Sequence, residues 1–221
     1  MCYKKRMKFK NFTLDPFQEQ SIQAIENNHS VVVSAPTGSG KTLIAEYIIY
    51  KNRNNNTQII YTAPIKALSN QKYKDFSNEF GESKVGLMTG DIVINPHAKI
   101  LIMTTEIYRN MVLSNDEQIQ NIAYVIFDEI HFINDVERGY VWEESIIYSK
   151  ETVRFLCLSA TIPNAEQFSN WIQAIKHHTV DTVVATERNV PLEQSFYDVE
   201  LGLTTLEKIR DDKNVPRYEH I

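Results

Sequence analysis

The chain has 221 residues, 43% of them hydrophobic and 23% charged, with a formal net charge of -5; that suffices for one well-buried domain with an appendage, but hardly for two large ones. No apolar run approaches the roughly 18–20 residues that cross a bilayer, and the basic start MCYKKRMKFKNF lacks the apolar stretch of a secretory signal, so no membrane partner is expected. The acidic balance speaks against an indiscriminate nucleic-acid coat, though not against a motor that grips a backbone locally with a few N–H groups and cations.

Short β-branched runs alternate with longer helical stretches along the chain. A helix is predicted over residues 16–27, a strand over 30–34 (SVVVS) and a helix over 41–52, closed by the solvated turn KNRNNN at 51–56. A strand at 57–62 (TQIIYT) leads to a helix at 66–80, and strands at 85–88 (VGLM) and 99–103 (KILIM) lead to a helix at 105–112. The remaining elements are a strand at 123–127 (AYVIF), a helix at 141–148, a strand at 154–158 (RFLCL), a helix at 165–176 and a strand at 180–185 (VDTVVA). Most strands are continuous apolar runs, as expected of strands covered by helices on both faces, so the fold class is α/β with a mostly parallel sheet. Cys2 and Cys157 are too few for a disulfide framework; Cys157, within RFLCLSA, reads as a buried reduced thiol and implies a reducing, cytoplasmic setting.

Polar clusters follow five of these strands: APTGSGKT after Ser34, APIKALSNQ after Thr62, TTEIYRN after Met103, DEIH after Phe127 and SATIPN after Leu158. Parallel strands share one carboxyl edge, and open α/β sheets bind ligands there. The five clusters are therefore predicted to converge.

The first cluster has the strand–loop–helix context of a phosphate-binding loop. Within it Gly38 and Gly40 let the backbone curl so that N–H groups face phosphate oxygens, and Thr37 and Ser39 belong to the same cofactor-binding loop. Lys41 reaches the β and γ phosphates and the Thr42 hydroxyl ligates Mg²⁺. Ala35 stands where many such loops carry Gly. In DEIH, Asp128 is the expected Mg²⁺ carboxylate. Its neighbour Glu129 is placed to orient and deprotonate an attacking water.

With these motifs in this order, the chain resembles the superfamily 2 DExH helicases from about Phe12 to Glu193. The resemblance implies a RecA-like P-loop NTPase domain that uses ATP with Mg²⁺. FTLDPFQ at 12–18 looks like the family's adenine motif, in which Phe12 would stack on the base and Gln18 would read its edge. Without the family, Phe12 reads as a core aromatic and Gln18 as a helix-surface residue. SAT at 159–161 looks like motif III, so Ser159 and Thr161 would couple the nucleotide site to the nucleic-acid track, with His131 hydrogen-bonding towards them. Helix capping is the local alternative for those hydroxyls.

Three further segments resemble the family's track contacts. Pro64, Lys66, Ser69, Asn70 and Gln71 match motif Ia, Thr89 and Gly90 match the following turn, and Thr104, Thr105, Glu106 and Arg109 match motif Ib. The Ser69 and Thr105 hydroxyls, Arg109 and helix N-terminal N–H groups would meet phosphates. APIKALSNQKYKDF, TGDIVINP, DEIHFINDVERGYVWEE and LSATIPNAEQF are most similar to the superkiller/exosome-associated RNA helicases, which favours RNA over DNA. The repair-associated DNA helicases are the near alternative.

The expected organisation is a basic extension at 1–11, a RecA-like lobe at 12–189, and an interlobe connection with a polar tail at 190–221. A second RecA-like lobe, carrying the family's arginine fingers, is expected to be absent and supplied in cis or in trans. The leading reading is the ATPase lobe of an ATP-dependent RNA helicase, weakly active alone. It stands against a module that only binds ATP and RNA. A P-loop kinase would leave motifs Ia, Ib and III as coincidence.

Overall fold

A two-residue hairpin, β1 (Lys8–Phe9) with β2 (Phe12–Thr13), precedes helix α1 (Pro16–Glu26). Pro16, with its fixed φ, suits the first turn of that helix. The next elements are β3 (Ser30–Ser34), α2 (Thr42–Asn52), β4 (Gln58–Ala63) and α3 (Lys66–Phe80). They are followed by β5 (Val85–Met88), β6 (Val93–Ile94), β7 (Ile100–Thr104) and α4 (Thr105–Leu113). Then come β8 (Ile122–Phe127), α5 (Tyr140–Tyr148), β9 (Arg154–Ser159), α6 (Ala165–Lys176) and β10 (Val180–Val184). A hairpin of β11 (Phe196–Asp198) and β12 (Gly202–Thr204) belongs to a separate unit, 188–221. The computed structural model describes residues 6–160, 162, 164–187, 195–199, 202–205 and 207–209.

Eight strands form the central sheet in the order β10-β3-β9-β8-β4-β7-β5-β6. All pairs are parallel except β5 with β6. Side chains alternate across a strand, and this decides why the strands read as continuous apolar runs. Val31 and Val33 pack with Ile25 of α1, Ile44 and Ile48 of α2 and Phe76 of α3 on one face. Val32 between them packs on the other face, with Tyr108 of α4, Trp142 of α5 and Ile172 of α6. Helices thus cover both faces, as predicted, with three on each among the described residues. The predicted strand and helix bounds agree to within about two residues.

The short hairpins and β6 were not predicted, because two or three residues are too few to display a period. Cys157 is free and buried among apolar neighbours, and burial pushes its thiol pKa up. Among the described residues, no helix is long and apolar enough to cross a membrane.

Trp142 is fully buried and stacks on Phe132 at 6.0 Å, fixing the 3-10 turn Ile130–Asn134 against the helical layer. Trp142→Ala should cost about 3–5 kcal/mol, through lost contacts and the cavity left behind. Urea unfolding would register it as a lower midpoint, and a loss below about 1 kcal/mol would mean that the indole carries little of the packing.

Candidate active site

The phosphate-type loop leaves β3 at the carboxyl edge, where Ala35 N–H donates to Ser159 O at 3.2 Å. Gly38 and Gly40 take φ of +81° and +83°, a region that side-chain-bearing residues enter at a cost. A Cβ on Gly40 would also lie 2.9 Å from Gln18 Nε2. Lys41 folds its ammonium back onto the carbonyls of Ala35 and Pro36 at 2.7 and 3.0 Å. Burial lowers the Lys41 pKa, while the nearby Glu129 and Asp128 carboxylates oppose that shift. The Ser39 hydroxyl is buried with no hydrogen-bond partner, and α2 begins without a side-chain cap. An orphan hydroxyl, uncapped helix N–H groups and an ammonium within one loop suit an anionic phosphate chain.

Asp128 stands at the end of β8. Tyr61 donates its hydroxyl to Asp128 Oδ2 at 2.5 Å, and Glu129 N–H donates to Oδ1 at 3.1 Å. Glu129 adopts φ 54°, ψ 45°, a left-handed conformation that costs of order 1 kcal/mol in a non-glycine residue. His131 Nδ1 lies 3.3 Å from Glu129 Oε2 and 3.4 Å from Ser159 Oγ, so the imidazole stands between the acid and the SAT segment. Ser34 secures the start of that segment: its hydroxyl accepts Ile162 N–H at 2.9 Å and donates to Ala160 O at 3.4 Å. Thr161 lies outside the described residues. Lys72 of α3 donates to Thr42 Oγ1 at 3.3 Å.

Tyr61 and Lys72 were missed by sequence reasoning. Tyr61 reads as one apolar letter of a strand, and Lys72 as one lysine among several on a helix. The only signal was their position, on the strand and helix that flank the second polar cluster.

Gln18 is buried and spans two elements. Its Oε1 accepts Asp15 N–H at 2.9 Å in a capping box, and its Nε2 donates to Gly40 O at 3.1 Å. It is therefore no helix-surface residue. Phe12 is 61% exposed on the hairpin, not a core aromatic.

Pro64, Lys66, Gly90, Thr104, Glu106 and Arg138, with the apolar Ile65, Ala67 and Ile107, line an open trough of about 600 Å³. The N-termini of α3 and α4 open onto it, and neither carries a side-chain cap. Lys66 pairs with Asp91 at 2.5 Å, and Arg138 bridges Pro64 O, at 3.0 Å, and Glu106.

Three of the expected track side chains are placed otherwise. Ser69 is fully buried and turns its hydroxyl back onto Ile65 O, because a helical serine can bond the carbonyl one turn before it. Thr105 is fully buried with its hydroxyl unpartnered. Arg109 is held by Glu144 at 2.5 Å and lies over the Tyr140 ring at 5.2 Å. Thr89 is buried in its turn, while Asn70 is half-buried and Gln71 exposed, neither of them lining the trough.

The family profile described as DEAD/DEAH box helicase matches residues 15–168, from the capping box to α6. The chain belongs to the DEAD/DEAH box helicases. It is 48% identical over 209 residues to the ATP-dependent RNA helicase mtr4 of Schizosaccharomyces pombe, covering 95% of this chain and 18% of that protein. It is 49% identical over 186 residues to Superkiller complex protein 2 of Homo sapiens, covering 84% of this chain and 15% of that one. The chain thus spans less than a quarter of the length of these helicases. Among solved structures, the Mycobacterium smegmatis helicase Lhr bound to ssDNA and AMP-PNP matches with a TM-score of 0.64 at 24% identity, over 77% of this chain and 26% of that one. That likeness establishes the RecA-like helicase fold.

In this helicase domain one amide, Gln18, ties α1 to the glycine loop after β3. Gln18→Ala should lower stability by about 1–2 kcal/mol, since it removes half of a capping box and also the tether to Gly40 O. Thermal unfolding reads the loss, and an unchanged melting temperature would show the two hydrogen bonds to be dispensable.

Proposed function

We propose that this chain is the ATP-binding first lobe of an RNA helicase motor, with Mg²⁺ as its metal. The observation that carries the reading is the arrangement at one sheet edge: Lys41 acted on electrostatically by both Asp128 and Glu129, beside a trough lined by two uncapped helix N-termini. The Ser39 hydroxyl, the α2 N-terminus and Lys41 would receive the triphosphate. Thr42 and Asp128 would hold Mg²⁺, which takes few protein ligands and completes its shell with phosphate oxygens and water. Bound there, the ion would neutralise charge on the phosphates.

The chain's own groups account for the rest of the chemistry. Glu129 would accept a proton from water, and His131 would relay the state of that site to Ser159 and Thr161. Gln18 keeps one N–H and one Oε1 lone pair beyond its internal bonds, a donor and an acceptor of the kind that matches the N7 and N6 edge of adenine. Exposed Phe12 offers the stacking face.

On the track side, backbone N–H groups at the starts of α3 and α4, with Lys66, Thr104 and Gly90, would meet phosphates without reading bases. RNA is the preferred strand because some of the relatives at 48% identity, the Schizosaccharomyces pombe mtr4 among them, carry the name RNA helicase. The structural neighbour bound to ssDNA shares too little sequence to transfer a substrate. The free, buried Cys157 fits a reducing, cytoplasmic setting.

An arginine delivered to the γ-phosphate typically contributes about 10³–10⁵ in rate. Arg138 is engaged at the trough, and Arg154 donates to Asn28 O and Glu151 O at the opposite, amino edge. The arginine is therefore expected from a second RecA-like lobe, in the same polypeptide or in trans, and the 221 residues alone should hydrolyse ATP slowly.

Glu129→Gln keeps the shape of the side chain and removes the base. In the presence of a second lobe, ATP affinity should persist while hydrolysis falls roughly 10²-fold or more. Turnover near that of the parent would remove Glu129 from the role of base.

With the same assembled motor, single-stranded RNA should stimulate hydrolysis more than DNA of the same sequence. The stimulation should weaken steeply with salt, since phosphate contacts release counterions. Equal or greater stimulation by DNA would assign the chain to the repair-associated helicases.

A further inference from the structure

Tyr61 is buried outright, yet it carries a hydroxyl that must find a partner. Register explains how it finds one. Tyr61 of β4 is paired with Ile126 of β8, and Asp128 lies two residues further along, on the same side of the sheet. The phenol ring runs along that face and delivers its hydroxyl to Asp128 Oδ2 at 2.5 Å. Glu129 N–H holds the other oxygen at 3.1 Å, so both oxygens of the carboxylate are fixed.

Helix α3 holds the ring in turn. Phe76 meets it edge-on at 5.3 Å and 90°, and Lys72, one turn earlier, places its ammonium 5.9 Å from the ring centroid. A phenylalanine would fill the same space in the core. Only the hydroxyl requires tyrosine here.

Resting on the Mg²⁺-ATP reading above, we propose that Tyr61 is a positioning residue for the metal site: its buried hydroxyl orients the Asp128 carboxylate so that the ion meets a ligand already aimed. A carboxylate at a strand end otherwise samples several rotamers, and the ion would have to order it on arrival. The hydroxyl donates a single hydrogen bond, so it occupies one lone pair of Oδ2 and leaves the other.

The experiment uses Tyr61→Phe in the full chain, with a non-hydrolysable ATP analogue titrated in EDTA and then across a series of Mg²⁺ concentrations. The affinity gained from Mg²⁺ should fall about 10–150-fold, the scale of a hydrogen bond to a charged group. Affinity in EDTA, which does not engage Asp128, should stay within about twofold of the parent. In an Asp128→Asn background, Tyr61→Phe should have no further effect on the Mg²⁺ gain, because the two changes remove the same interaction.

A full Mg²⁺ gain in Tyr61→Phe overturns the proposal. So does an equal loss with and without metal, or an unfolded variant, since either makes the hydroxyl structural. Independent losses in the double variant overturn it as well. A parent chain that binds no analogue under any condition removes the phosphate-site reading itself, and this inference with it.

Discussion

Strands covered on both faces can expose polar chemistry only where the covering stops, and parallel pairing brings those places to one edge. Val32 faces one helical layer while Val31 and Val33 face the other, which leaves no free face on β3 for a functional group. The same holds for β4, β7, β8 and β9, each buried through nearly its full length. Chemistry is therefore pushed to the residues just beyond Ser34, Ala63, Thr104, Phe127 and Ser159. The hydrophobic effect builds the layers, and the convergence of the five clusters is a consequence of it.

At that edge, opposite charges are brought together in a partly buried setting, and each is restrained by a neutral neighbour. Lys41 is desolvated, which disfavours its charge, while Asp128 and Glu129 favour it. Asp128 is fixed by Tyr61, and Lys41 by the carbonyls of its own loop. The left-handed backbone of Glu129 belongs to the same economy. Strain of that kind persists where surrounding structure over-determines it, and here the Phe132–Trp142 stack and the 3-10 turn directly after Glu129 supply the constraint.

Much of this was legible in the sequence, for a physical reason. Element bounds could be read because apolar runs and helical periods are long-range averages, so one misjudged residue shifts a boundary and no more. That Gly38, Gly40, Lys41, Asp128 and Glu129 gather at one edge was legible because each directly follows a strand of the parallel sheet. The contacts of Ser69 and Arg109 were not legible because sequence gives a donor but not its competitor. A serine folding back on Ile65 O, or an arginine captured by Glu144 thirty-five residues away, depends on partners that only the fold supplies. Tyr61 was hidden for the converse reason. A residue that packs like a core aromatic carries no sign that its hydroxyl ends on Asp128.

The segment after β8 joins the proposed nucleotide side to the proposed track side over a short run of chain. Asp128 contacts Tyr61, and His131 stands between Glu129 and Ser159. Phe132 stacks on Trp142, and Asp135 accepts the N–H groups of Glu137 and Arg138. Arg138 then closes on Pro64 O and Glu106 at the trough. Little slack exists along this run: a Cβ on Gly139 would lie 2.2 Å from Ile133 O. A packed path transmits a change only if some member has two discrete arrangements. His131 has the means for two, because a protonated Nδ1 can donate to Glu129, whereas an unprotonated Nδ1 can accept the Ser159 hydroxyl, and one nitrogen cannot do both at once. In the proposed motor, the choice between those partners would let His131 pass the state of Glu129 on to Ser159.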